Sequence, residues 1–285
     1  MKKKILSTTF SFVVSLFLAI VFLAGTLCLF AGNTVCQPAY LTQIAESSGF
    51  TDELYEEIKY NWENLISITG VEDTASMMPM LTKEQVSNDV LAALENAYKG
   101  TSSLNTDELE SQLEAKVRDY AYSNNIHATP ESELNQNIDD LVSACIKDYR
   151  RAVSIPLLPT ILGTVGKVSP ILTPAATATA VAALILLVFL FFLQTERKNT
   201  LYYTAISAAT NAVILIGLPA LAAAYQIVKR LPVEASALKT LIIAYIQALL
   251  DQMQFIGFLF LGAAVLLIAV YTLLVFLPKK NSAKV

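Results

Sequence analysis

Four stretches of this chain each run for more than twenty residues without an Asp, Glu, Lys or Arg: Phe10 to Ala31, Ile171 to Leu193, Leu201 to Val228 and Phe255 to Leu277. At about 1.5 Å of rise per residue, some 20 residues cross a hydrocarbon core about 30 Å thick, so each stretch predicts a transmembrane helix. Between Asn33 and Leu172 the pattern changes, and apolar residues recur every three or four positions with polar ones between them. This periodicity predicts four amphipathic helices. The first opens at Thr51 as N-cap and runs to Gly70, burying Leu54, Ile58, Trp62, Leu65 and Ile66. The second starts at the capping box Thr82-Lys83-Glu84-Gln85 and ends near Gly100, with Val86, Val90, Leu94 and Ala97 on its inner face. A third follows Thr106 with Leu109, Leu113, Val117 and Tyr120. The fourth follows Thr129-Pro130, presents Leu134, Ile138, Leu141, Val142, Cys145, Ile146 and Tyr149, and stops before Pro156.

The expected fold class is therefore all-α: four transmembrane helices plus an extracytoplasmic helical bundle domain inserted between spans 1 and 2. Residues 1–32 form the N-terminal anchor, 33–155 the helical domain, 156–174 a connection and 175–285 a three-span membrane bundle. The connection carries Pro156, Pro159, Gly163, Gly166, Pro170 and Pro174 and reads as a hinge or an interface-hugging segment. Residues 232–251 alternate polar and apolar positions, which suits either an interfacial amphipathic helix or an outward extension of the fourth span.

Composition agrees with lipid as the main solvent: 54% of residues are hydrophobic and 15% charged. Met1-Lys2-Lys3-Lys4 before an apolar run resembles a secretory signal, but the run from Ile5 to Ala31 exceeds the roughly 7–15 residues of a signal core and predicts a retained anchor. Lys2, Lys3, Lys4, Arg197, Lys198, Lys279, Lys280 and Lys284 flank one side of the spans, against Lys167, Lys229, Arg230 and Lys239 on the other. This asymmetry places both termini in the cytoplasm and residues 33–172 outside the cell membrane. That segment holds 21 acidic and 9 basic residues, a net of −12, while the remainder holds 3 acidic and 11 basic, a net of +8. An acidic soluble part repels polyanions, which argues against nucleic acid as a partner.

Candidate chemistry is sparse. His127 is the sole histidine, and no Ser-His-Asp, Cys-His or multi-histidine set can be built around it. Asp139-Asp140 lacks the loop spacing of a Ca²⁺ site, and Met77-Met78-Pro79-Met80 reads as hydrophobic filling more readily than as a Cu(I) site. No metal, cofactor or catalytic residue is expected. Cys36 and Cys145 lie in the same segment and are the one pair able to form a disulfide, although two buried free thiols is the simpler reading. Within the spans, Asn211 with Thr210 beside it is the best candidate for an interhelical polar contact, and packing explains it better than substrate binding. Ala175, Thr179 and Ala183, four residues apart, offer a close helix contact.

The run Pro38-Ala39-Tyr40 through Ser48-Gly49-Phe50-Thr51-Asp52-Glu53-Leu54-Tyr55, and then Leu81-Thr82-Lys83-Glu84-Gln85-Val86, resembles uncharacterised four-span membrane proteins of Gram-positive bacteria. The resemblance implies the same layout, a helical outer domain after the first span, and no reaction. The expected function is that of a non-enzymatic membrane protein of the cell envelope whose outer domain binds a protein partner or senses an envelope condition. A transporter or channel component is the alternative. The lipid bilayer is the other expected partner, and an oligomer is compatible with the helix faces.

Overall fold

The computed structural model describes residues 2–69, 74–124, 131–155, 158–194, 196–226 and 236–276. Among them the chain is helical and contains no strand. The helices are α1 (Lys2–Asn33), α2 (Pro38–Ser47), α3 (Phe50–Ile68), α4 (Lys83–Tyr98), α5 (Asp107–Ser123), α6 (Glu131–Ser154), α7 (Leu158–Leu193), α8 (Lys198–Ala224) and α9 (Ser236–Phe276), with a 3₁₀ segment at Thr74–Met80. They divide into two compact units, one of residues 1–35, 168–231 and 246–285, the other of residues 36–167 and 232–245.

The first unit contains α1, α8 and most of α7 and α9. These four helices are long and apolar enough to cross a membrane, and the chain is a multi-pass membrane protein. Their outer faces show why: Phe12, Phe17, Leu184, Phe192, Val213 and Leu266 each stand more than half exposed, an arrangement water would not tolerate and lipid favours. Inside the unit, α1 packs most extensively on α8. Small residues let the helices approach. Gly25 faces Thr179, and a Cβ added there would lie 2.7 Å from the Thr179 hydroxyl.

The second unit is a helical domain built around α6. Trp62 of α3 donates its indole N–H to the Cys145 carbonyl at 3.0 Å, and the Tyr149 hydroxyl donates to Asp89 Oδ2 of α4 at 2.5 Å. Arg118 of α5 reaches Asn135 and Asp139 on α6. The largest side chains with no solvent contact include Trp62, Tyr149, Phe50 and Ile58, so one apolar core is shared by α3, α4, α5 and α6. Thr82 caps α4 by accepting the Gln85 N–H at 3.1 Å. Gly100, with φ of +73°, closes α4 in the left-handed conformation that favours glycine.

Several expectations are corrected here. The 33–155 segment holds an additional helix, α2, and a 3₁₀ segment as well as the four amphipathic helices. Helix α3 begins at Phe50 with Gly49 (φ +79°) as its N-cap, two residues before the expected cap Thr51, which lies inside the first turn. Thr106 does not cap α5 with its side chain, because its buried hydroxyl accepts from Arg150 instead; Asn105 Oδ1 takes the Asp107 N–H at 2.9 Å. The 156–174 connection, expected as a hinge or an interface-hugging segment, is helical from Leu158 onward, with Pro170 and Pro174 inside α7. Its glycines serve packing: Cβ atoms at Gly163 and Gly166 would lie 2.8 Å from Gly100 Cα and 2.4 Å from the Tyr98 carbonyl oxygen. Residues 236–251 continue into the fourth span as one helix, α9, the second of the two expected forms. Ala237 and Leu241 of α9 belong to the domain core, and Thr240 donates to Glu53 at 2.7 Å. His127, the Thr129-Pro130 start of α6, Pro156, Pro232 and Glu234 lie outside the described residues.

Candidate functional site

A mixed-polarity cavity in the helical domain lies where α3, α6 and the start of α9 meet. Its volume is about 380 Å³. The 3.6-residue repeat of α3 brings Phe50, Leu54, Glu57 and Asn61 onto one side, and that of α6 brings Asp148, Arg151, Ala152 and Ile155 opposite, with Ala237 and Leu238 of α9 completing the wall. Phe50, Leu54, Ile155 and Ala237 are buried and supply an apolar floor, while Glu57, Asn61, Asp148 and Arg151 supply the polar part.

Asp148 carries the chemistry of this cavity. Asn61 Nδ2 donates to its Oδ2 at 3.4 Å, a long bond, and partial burial holds its carboxyl above the usual carboxylate range, against the opposing pull of Asn61 and Arg151. A carboxylate that loses water without gaining short, charge-assisted donors is poised to accept them from something else. Ile155, on the same wall, has φ of +34°. That conformation costs a β-branched residue about 1–3 kcal/mol, and such strain persists only where the surrounding packing enforces it.

Two other surfaces in the domain are less specific. A groove among α3, α5 and α6 is lined by Leu65, Ile68, Val117, Tyr120, Leu134 and Leu141 with Asp140 at its edge. A second, lined by Gln85, Asn88, Asp89, Asn105, Glu108 and Gln112 with the buried Leu109 at its base, is mainly polar.

The residues singled out in the sequence fall elsewhere. Asn211 is fully buried; its Nδ2 donates to the Ala19 carbonyl of α1 at 3.1 Å and to the Ser207 carbonyl at 2.9 Å, and its Oδ1 has no hydrogen-bond partner. Thr210 bonds back to the Ile206 carbonyl within α8. Ser207 meets Ser15 hydroxyl to hydroxyl at 3.0 Å, and Gln194 donates to Ser11, so a buried polar seam four residues in pitch runs along α1. Ala183 is buried and Ala175 half-buried on the face of α7 that carries Thr179. Cys28, Cys36 and Cys145 are all free thiols. Burial raises the Cys145 thiol to about 12, with Asp148 adding to the effect, and raises the Cys36 thiol as well. Among the described residues no group of His, Cys, Asp and Glu is arranged to hold a metal ion.

The cavity was not singled out in the sequence. Asp148 and Asn61 are 87 positions apart and each reads alone as a solvated helix residue. One signal was present: Asp148 lies between Cys145, Ile146 and Tyr149 on the apolar side of α6, where a solvated carboxylate is out of pattern.

These features define a class, an all-helical multi-pass membrane protein whose chain divides into two compact units. Comparison with protein-family models, curated proteins and solved structures returns no match to this chain.

Proposed function

We propose that this protein is a non-enzymatic receptor-like component of the cell envelope, whose helical domain lies outside the cytoplasm and binds a partner or senses an envelope condition. The observation that carries the reading is the dual membership of α9. Its residues Ala237 and Leu238 wall the cavity, and the same uninterrupted helix continues to Phe276 as a membrane span. A ligand or partner engaging the domain therefore contacts a helix that is itself a transmembrane element, which is what a sensing role requires.

The orientation rests on the lysine and arginine asymmetry, and the acidic domain surface fits a location away from nucleic acid and anionic lipid. The test is site-specific photo-crosslinking in intact cells, with the photoreactive residue at Tyr60 or Ile68 on the domain surface and at Val213 or Leu266 on the lipid-facing side, all highly exposed. The reading predicts discrete protein adducts from the domain positions that are absent from the lipid-facing ones. Identical patterns from both sets would overturn it.

A transporter component is the second reading, favoured by the unpartnered Asn211 Oδ1 inside the bundle. Substrate flux in proteoliposomes that falls with Asn211→Ala would support it, and unaltered flux would remove it.

A further inference from the structure

We propose that the cavity between α3, α6 and the start of α9 binds a small organic cation, an amine with an apolar body, whose ammonium group is taken by Asp148. The proposal deepens the binding role given above and rests on it.

Size comes first. About 380 Å³ falls at the lower end of the roughly 300–1,000 Å³ of small-molecule sites, too small for a folded partner and ample for a short aliphatic or aromatic body. The apolar floor of Phe50, Leu54 and Ile155 favours such a body by removing its surface from water.

Charge then selects the polar end. Two carboxylates, Glu57 and Asp148, face the cavity against one guanidinium, Arg151, which is exposed on the rim. A net negative lining disfavours an anion. Arg151 forms no ion pair with Asp148 within 4.0 Å, so the carboxylate keeps acceptor positions beyond the single 3.4 Å bond from Asn61. An ammonium group supplies three donors and a positive charge, and each N–H to carboxylate contact is of the short, charge-assisted kind. A divalent metal ion is the poorer fit, because it needs six or more oxygen ligands and the lining offers two carboxylates and one amide.

The test uses two probes with one skeleton and opposite charge, 4-methylpentylamine and 4-methylpentanoate, titrated calorimetrically into the full chain in lipid nanodiscs. Empty nanodiscs provide the partitioning baseline. The proposal predicts saturable binding of the amine at least tenfold tighter than of the carboxylate, and at least a tenfold loss of amine affinity in Asp148→Asn. Ala152→Leu, which fills the cavity without touching charge, also removes amine binding while the melting transition followed by Trp62 fluorescence is retained. Equal binding of the two probes, no saturable amine binding, or wild-type affinity in Asp148→Asn would each overturn it. The photo-crosslinks at Tyr60 and Ile68 separate the two failures: loss of amine binding with domain-specific adducts intact removes the ligand class and leaves the binding role, whereas loss of the adducts removes the role itself.

Discussion

Gly166→Ala puts the docking of α7 on the helical domain to a test of sign. In an uncrowded helix, replacing glycine with alanine stabilises by about 1 kcal/mol, because alanine loses less backbone entropy on folding. At Gly166 the new Cβ would lie 2.4 Å from the Tyr98 carbonyl oxygen, close to an ångström inside contact distance, and the obstacle is backbone that cannot rotate away. Overpacking of this kind costs about 1–3 kcal/mol, and a backbone obstacle places this case at the upper end. The net expectation is a loss of about 2 kcal/mol, which for a domain of this size lowers Tm by about 4–8 °C. Trp62, the single tryptophan and buried in the domain core, reports that transition by its fluorescence. Gly163→Ala, whose Cβ would meet Gly100 Cα at 2.8 Å, should behave in the same way. Gly262→Ala has nothing within 4 Å and should raise the melt followed by circular dichroism at 222 nm, or leave it unchanged. A Gly166→Ala protein that melts at or above the parent would refute the close approach of α7 to the end of α4.

Trp62→Phe removes the indole donor to the Cys145 carbonyl while preserving an aromatic ring, and should lower stability by about 1–3 kcal/mol, read from the urea midpoint by circular dichroism. Asp148 has a native carboxyl raised above its unfolded value, so its contribution to stability is present below the unfolded value of about 4 and is lost as pH rises through the native one. Asp148→Asn should accordingly melt higher than the parent at pH 7, with the difference closing on acidification; a lower melt at pH 7 would contradict the desolvated carboxylate. The Cys145 thiol, raised to about 12 and fully buried, should resist iodoacetamide at pH 8 in the native protein and react only on unfolding, as monitored by intact mass.

The sequence made the membrane helices legible because uncharged runs have almost no other physical explanation, and the amphipathic faces of α3 to α6 followed from helical period. The inner residues Leu54, Ile58, Trp62, Val86, Leu94, Leu113 and Tyr149 are buried where the pattern placed them. What failed was local punctuation overruled by packing. Prolines and glycines at 156–174 suggested a hinge or an interface-hugging segment, but Gly163 and Gly166 let α7 pass close to the end of α4. A serine or threonine before an apolar run suggested caps, yet Thr106 spends its hydroxyl on Arg150. The cavity stayed hidden because it joins Asn61, Asp148 and Ala237, three positions brought together by tertiary packing with no shared motif. Ala237 was the least accessible to inference, since its neighbours alternate like any interfacial helix.

Residue-by-residue labelling in intact cells tests the central claim most directly, namely that the helical domain faces outward while the α7 to α8 turn faces inward. Single cysteines are introduced at Ser111, exposed on α5, and at Asn199, at the start of α8, and treated with a membrane-impermeant maleimide. The native chain, with Cys36 and Cys145 buried and Cys28 half-buried within the first span, sets the labelling baseline. The account predicts that Ser111→Cys is labelled in intact cells and Asn199→Cys only after permeabilisation. Labelling in the reverse order would contradict it.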